Sequence, residues 1–347
     1  MKLNKFLHFL FAFTLLLGIV SCNNDSNDEP EIFYGNGFLI ANEGTYGKPE
    51  GDVTFVSADL NLKQDNVFSL NNGGAKLGDV LQMIAFNGDN AYLLLNNSNK
   101  IQVANRYNFK AGGQITAELN NPRYMAFANN NIYVTNDKYG GDKFVSIYKV
   151  SDGSFIKKIS FTDAAERIVE AGNNIFVQNA SFGFGNKISY INTSTNEVQS
   201  TITLPNVNIN KIISNNQNVY AIATGTADSY IYQISSTGSV TKTTTLTGIA
   251  NATNLEISNG KFYFTSGKNV YTMDMSATTA PTSPLFTVAN SVDAYSALYG
   301  FSVINDKIFT SDSNGFTQAS KIVVYNTSGA IIRAFTTGIG SNSVYPN

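Results

Sequence analysis

The chain has 347 residues, 43% of them apolar and 12% aromatic, and a formal net charge of −2 from 23 basic and 25 acidic side chains. That balance argues against a nucleic-acid partner, which needs a concentrated basic footprint. A single cysteine excludes a disulfide framework, so stability must come from buried apolar surface.

The chain opens on Lys2 and Lys5, and Phe6 to Val20 follows as an apolar run. The run is short for a membrane span and has signal-peptide form. Ser21-Cys22 behind it resembles a bacterial lipoprotein signal, in which Cys22 becomes the lipidated first residue. An ordinary secretory signal with an incidental cysteine is the alternative. Cleavage there removes Lys2, Lys5 and the sole histidine, His8, and leaves a more acidic chain. The next stretch, NNDSNDEPE, is polar and acidic and reads as a flexible tether. It resembles the acidic segment that sends many Bacteroidota lipoproteins to the outer cell surface; a plain solvated linker is the simpler reading. The expected division is a signal peptide over 1–21, a tether over 22–33 and one folded domain over 34–347.

Within that domain a turn-plus-strand unit recurs. It reads GNGFLIAN at Leu39, GDNAYLLL at Tyr92, NNNIYVTN at Tyr133, GNNIFVQN at Phe176, NQNVYAIA at Tyr220, NGKFYFTS at Tyr263 and NDKIFTSD at Phe309. After a longer first interval the spacing settles at about 41 to 46 residues, the range of solenoids and propellers. Each unit divides into four β-branched and aromatic runs bounded by Asn, Asp, Ser and Gly. In the third these are Tyr124–Phe127, Ile132–Thr135, Phe144–Val150 and Phe155–Phe161. Four short strands per repeat predict an all-β, seven-bladed β-propeller.

The first unit begins on its second strand, Phe38–Ala41, and the chain closes on SVYPN. The expectation is that Ser343–Tyr345 pairs with Phe38–Ala41. The ring is then closed by its C-terminal strand, with no sheet edge exposed. An open solenoid is the alternative, but neither terminus reads as a polar cap.

If the strands of each unit are lettered A to D, the A–B and C–D turns share one rim and are short and alike. The B–C loops lie on the other rim and differ. They hold Asn42, Glu43 and Tyr46; Asn96, Asn97 and Ser98; Asn136 and Tyr139; Asn179, Phe182 and Phe184; and Phe316. Variable loops on a rigid frame are where binding sits. Aromatic rings beside amides suit a polar organic ligand, although each ring has packing on a neighbouring loop as its plainer role. A second set lies ten residues before each strand-B aromatic: Gln82, Arg123, Glu166, Asn210, Thr253 and Tyr299. These are expected at the channel mouth on the same rim, with Asp79 beside them, and solvation of a wet channel is the alternative.

Loss of His8 removes Ser-His-Asp and histidine-metal chemistry. GGAKLGD, Gly73–Asp79, reads as an inter-blade loop and not a phosphate cradle. No cofactor or metal site is expected. Glu43, Asp79, Asp137, Glu166 and Asp312 leave carboxylate chemistry as a minor reading, and the chain is expected not to be an enzyme.

NEGTYGKPEGDVTFVSADL (Asn42–Leu60), GDVLQMIAFNGDNAYLLLNNSNKIQV (Gly78–Val103) and GIGSNSVYPN (Gly338–Asn347) resemble the first, second and closing segments of a Bacteroidota family of surface lipoprotein propellers. IYVTN at Ile132 is similar to the YVTN repeat of surface-layer propellers. The resemblance implies an outer-membrane, lipid-anchored protein facing the cell exterior. Such a protein would capture a small ligand, a corrinoid or similar nutrient, and pass it to a TonB-dependent transporter. The chain departs from the pattern in its later blades, where the Thr224–Asp228 loop is short and rich in Thr. A structural or adhesive propeller with no small ligand is the alternative function, and a carboxylate-based lyase or hydrolase the third.

Overall fold

The structure, a computed structural model, describes residues 33–205 and 207–347. Cys22, the leader and nearly all of the tether lie outside the described residues. From Tyr34 the chain is one compact unit of twenty-eight strands, β1–β28, in seven four-stranded antiparallel sheets. The fold is a seven-bladed β-propeller.

Blade 2 is β4 (Leu81–Asn87), β5 (Asn90–Leu95), β6 (Lys100–Asn105) and β7 (Ala111–Ile115). Blade 3 is β8 (Pro122–Ala128), β9 (Asn131–Asp137), β10 (Lys143–Lys149) and β11 (Phe155–Phe161). Blade 4 is β12 (Ile168–Ala171), β13 (Asn174–Ser181), β14 (Phe184–Asn192) and β15 (Glu197–Thr203). Blade 5 is β16 (Asn208–Asn215), β17 (Asn218–Thr224), β18 (Ser229–Ser235) and β19 (Val240–Leu246). Blade 6 runs from β20 (Ala252–Ser258) to β23 (Phe286–Thr287), and blade 7 from β24 (Gly300–Ile304) to β27 (Ile331–Ile339).

Blade 1 is composite. β28 (Ser341–Pro346) is its inner strand, followed outward by β1 (Gly37–Asn42), β2 (Asp52–Ser57) and β3 (Lys63–Gln64). Ala41 pairs with Ser343, Ile40 with Val344 and Leu39 with Tyr345, the closure expected from the sequence. Asn347 latches it: its amide donates to the Tyr34 and Arg106 carbonyls, and its oxygen accepts from Arg106 Nε at 2.8 Å. Closure does not remove every edge, contrary to expectation. Each blade keeps an outer strand with one unpaired side; those of blades 4 and 5 are largely polar, whereas β11 and β27 also leave Phe155, Ile156, Ile331 and Ile332 exposed.

Strands B and C are buried on both faces, because each blade is sandwiched between two others. In β9, Ile132 and Val134 pack toward blade 2 while Tyr133 packs toward blade 4. Two-faced burial explains the near-continuous apolar runs, which replace the in–out alternation of a half-solvated strand. Among the described residues seven apolar clusters fill the seven blade junctions in turn. Strand-B aromatics bridge several junctions. Phe38 meets Phe309 at 4.8 Å across the closing seam, and Tyr92 meets Phe127 at 5.0 Å between blades 2 and 3. Such pairs add roughly 0.5–1.5 kcal/mol each beyond their buried area.

The long first interval holds a short helix, α1 (Val67–Asn71), which the strand pattern did not announce. Its first turn donates the Phe68 and Ser69 N–H groups to the Asp52 carboxylate at 2.9 and 3.2 Å. Burial raises the pKa of Asp52, and these N–H bonds oppose the rise. The Gly73–Asp79 loop returns from α1 to blade 2 and bridges back to blade 1 through Gly51 N–H to Gly78 O, 2.8 Å. It is an inter-blade connection.

Candidate functional site

The B–C loops and the starts of the A strands meet at one end of the central channel. Two cavities open there. The inner one, about 510 Å³, is lined by Glu43, Gln82, Arg123, Arg167, Tyr299 and Asn342, with Tyr46, Phe182, Tyr295 and Phe316 above. The outer one, about 680 Å³, is lined by Asp137, Tyr139, Glu166, Asn179, Phe182 and Phe184. Tyr46, Arg123 and Phe182 line both, so the two are lobes of one mouth.

The inner ring is built by β-bulges. In β4 the register skips Gln82, in β16 Asn210, and in β28 Asn342. In β8 it skips Arg123 and Tyr124 together. A bulge turns its extra residue out of the ladder and re-aims the side chain. The same device therefore sits at the start of several A strands. In blade 4, Glu166 and Arg167 share one partner, Gln178, by backbone bonds of 3.0 and 2.8 Å.

The ring is hydrogen-bonded from blade to blade. Arg123 grips Glu166 with two parallel bonds, Nε to Oε2 at 2.9 Å and Nη2 to Oε1 at 2.8 Å, and donates Nη1 to Gln82 at 3.1 Å. Burial works against the Arg123 charge, but the Glu166 pair outweighs it and raises the guanidinium pKa. Tyr299 OH and Asn342 Nδ2 both donate to Glu43 Oε1, at 2.5 and 2.9 Å. Burial pushes the Glu43 pKa above the carboxylate range against those two bonds. The Tyr299 phenol is raised in turn by burial and by the Glu43 charge.

Above the ring the aromatics are open to solvent: Tyr46, Tyr139, Phe182, Phe184 and Tyr295 are each more than 70% exposed. Phe182 and Gly183 form the two-residue turn between β13 and β14, with φ of 50° and 80°. Phe316 and Val80 also sit at positive φ, 59° and 57°. The left-handed region costs a bulky L residue about 1–2 kcal/mol, and such strain is held at clamps and sites. Phe316 packs on Tyr299 at 4.6 Å and Tyr295 at 6.0 Å.

Residues 36–338 match the family described as a domain of unknown function, DUF5074. The chain belongs to the DUF5074 family. No curated protein matches it in sequence. By structure this DUF5074 propeller is similar to a quinonprotein alcohol dehydrogenase-like protein from Bacteroides thetaiotaomicron, with a TM-score of 0.66 and 13% identity over 90% of this chain and 79% of that one. A functionally unknown protein from Desulfotomaculum acetoxidans gives a TM-score of 0.66 and 11% identity over 90% of this chain and 98% of the other. The dihydro-heme d1 dehydrogenase NirN gives 0.54 and 11% over 91% and 76%. At these identities the likeness carries the fold alone.

Of the side chains singled out in this DUF5074 sequence, Glu43, Tyr46, Gln82, Asn96, Arg123, Asp137, Tyr139, Glu166, Asn179, Phe182, Phe184, Tyr299 and Phe316 line the mouth. The others do not. Asn42 and Asn136 are 3% and 0% exposed and serve as staples. Asn42 donates to Thr54 and accepts from Ser341, while Asn136 accepts the Asn120 N–H at 2.8 Å. Asn96 and Asn179 make the same kind of link, to the Pro122 and Ala164 carbonyls. The amide ending strand B thus pins the strand that enters from the neighbouring blade. Asp79 is buried and accepts from the Gly47 N–H and from Asn97, so both fix the Tyr46 loop from behind. Asn210 is exposed and accepts the Asn254 N–H. Residues missed from the sequence are Arg167, Tyr124, Tyr295 and Asn342.

Proposed function

We propose that this propeller is a non-enzymatic capture protein: a lipid-anchored module on the outer cell surface that binds a small polar and aromatic ligand at the channel mouth. The observation that carries this is the crown of exposed rings over a two-lobed cavity with a polar, pre-organised floor. Solvent-exposed rings, set around a recess in the 300–1,000 Å³ class, are what a small-molecule site requires. The lipoprotein-like leader and acidic tether support display at the outer membrane. The resemblance to corrinoid-capturing propellers supports hand-off to a TonB-dependent transporter, with a corrinoid or similar nutrient as cargo.

Calorimetry against corrinoids, haem and glycans tests it. Binding should appear for one class, and Tyr139→Ala and Phe182→Ala should each weaken it. Absence of binding to every class, with no transporter co-purifying, would sink the reading and leave a structural or adhesive propeller. A carboxylate-based lyase or hydrolase has one observation in its favour, the protonation-prone Glu43 beside Tyr299. Turnover of a glycan that is lost in Glu43→Gln would establish that alternative.

A further inference from the structure

Among the described residues four cations stand at or below the mouth. Lys143 lines the outer lobe with Asp137 in its field; of the other three, two are spent. Arg123 gives its donors to Glu166 and Gln82. Lys211, in the wall of blade 5, is buried and donates to Glu256 at 2.6 Å. Arg167 is different. It lines the inner cavity, half-buried, and among the described residues its side chain makes no hydrogen bond or ion pair. Its guanidinium lies over the Tyr124 ring, 4.4 Å from the centroid. That contact holds the group in place without using its N–H donors, which in a folded protein ordinarily find acceptors. Lys211 lies near enough for the two positive charges to act on each other, so a cationic ligand is disfavoured there. Glu43, the carboxylate lining the same cavity, is already held by Tyr299 and Asn342.

The wall of the same cavity includes Tyr46, Phe182, Tyr295 and Phe316. Two of these rings are kept at positive φ, where Gly or Asn would fit without strain. An oriented but unspent guanidinium and a set of rings around one recess describe the two halves of one molecule. We infer that the mouth takes a flat conjugated ring system bearing a carboxylate or a phosphate, with the ring among these aromatics and the acid forked on Arg167. A planar guanidinium matches either group with two parallel bonds. This rests on the capture reading and narrows it to a chemical class.

Two matched probe pairs test it on the full chain: flavin mononucleotide against riboflavin, and pterin-6-carboxylate against pterin. Calorimetry at low salt should show the acidic member of at least one pair binding about tenfold or more tightly than its neutral partner. The pair that discriminates tells phosphate from carboxylate. Arg167→Met should abolish the preference, Arg167→Lys should keep part of it, and Phe182→Ala should weaken both members alike. Thermal unfolding of Arg167→Met should match or exceed the parent chain, because an unpaired charge is removed; a merely structural arginine would lower it. Equal binding within both pairs, or a preference that survives Arg167→Met, overturns the inference and leaves capture standing. If none of the four probes binds while a corrinoid or a glycan does, the inference fails alone; haem, a flat ring bearing carboxylates, belongs to the inferred class, and its binding with loss in Arg167→Met would support it. If nothing binds at all, both readings fail.

Discussion

Blades 5 and 6 differ from the rest of the ring in what they do with their inner strands. Among the described residues, every side chain lining the mouth comes from blades 1, 2, 3, 4 and 7 or from the connections leading into them. In blades 5 and 6 the corresponding positions turn inward on themselves. Asn210 accepts the Asn254 N–H, Thr253 meets Thr265 at 2.9 Å, and Lys211 closes on Glu256. Their B–C loops also carry no aromatic ring, as at Thr224–Asp228. Seven repeats that obey the same packing rules thus divide into a closed arc that braces the ring and an open arc that presents chemistry. The fold requires that each blade bury both faces; it does not require that each contribute to the mouth.

Breaking the closed arc should give the largest effect. Lys211 and Glu256 are 10% and 23% exposed at their side chains. Removing one partner leaves a buried charge alone, at a cost of roughly 3 kcal/mol or more. Glu256→Gln should therefore lower the denaturation midpoint sharply. The double change Lys211→Met/Glu256→Leu should restore most of the loss, binding at the mouth should persist, and affinity for a neutral ligand should stay unchanged. Loss of binding in the double variant would erase the distinction between the arcs.

Opening the other arc should show the reverse. Tyr46→Ala and Phe182→Ala each remove an exposed ring, so stability should move by no more than about 0.5 kcal/mol. Affinity should fall about tenfold or more, as for a ring at the centre of a contact. Thr226→Ala, on the short loop of blade 5, should change neither.

A third test uses pH. The folded state holds the Glu43 proton more tightly than the unfolded chain does, since burial raises this pKa from its ordinary 4.5. That contribution to stability is complete below the ordinary value and is lost as pH rises through the raised one. Glu43→Gln stays neutral and can still accept from Tyr299 and Asn342. It should melt above the parent at neutral pH, with the gap narrowing as pH falls through the raised value toward 4.5 and gone below it. A constant gap across that range would contradict the burial argument.

The smallest effect is expected at the Phe182 turn. Phe182→Gly relieves the left-handed backbone, offset in part by the greater freedom of glycine when unfolded. A net gain of about 0.5 kcal/mol is expected, together with weaker binding. A stability loss would mean that the exposed ring packs in solution.

The blades were legible in the sequence because two-faced burial writes apolar runs at a fixed interval, and the closing strand because SVYPN lacks a partner of its own. The exposed rings were legible for the same reason: Tyr139 and Phe182 interrupt polar loops. The amides were not. Asn136 and Tyr139 look equally loop-like, but the first turns inward to hold Asn120 while the second faces water. Bulges hid the rest, because they break the two-residue period that assigns a side chain to a face. Arg167 was passed over one position from Glu166, and Asn342 because its strand belongs to blade 1. Tyr295 lies in the irregular run between β23 and β24, where no repeat marks it. α1 is too short to show a helical period.

The composite first blade has a consequence for biogenesis. Ser341 reaches Asn42 across 299 positions of chain, so β1 must wait for nearly the whole polypeptide before its inner neighbour arrives. A nascent chain emerging N-terminus first carries that strand unfinished throughout synthesis. Ring completion is therefore a post-translational event, and a chaperone that shields Leu39 and Ile40 in the interval would be guarding the last joint to be made.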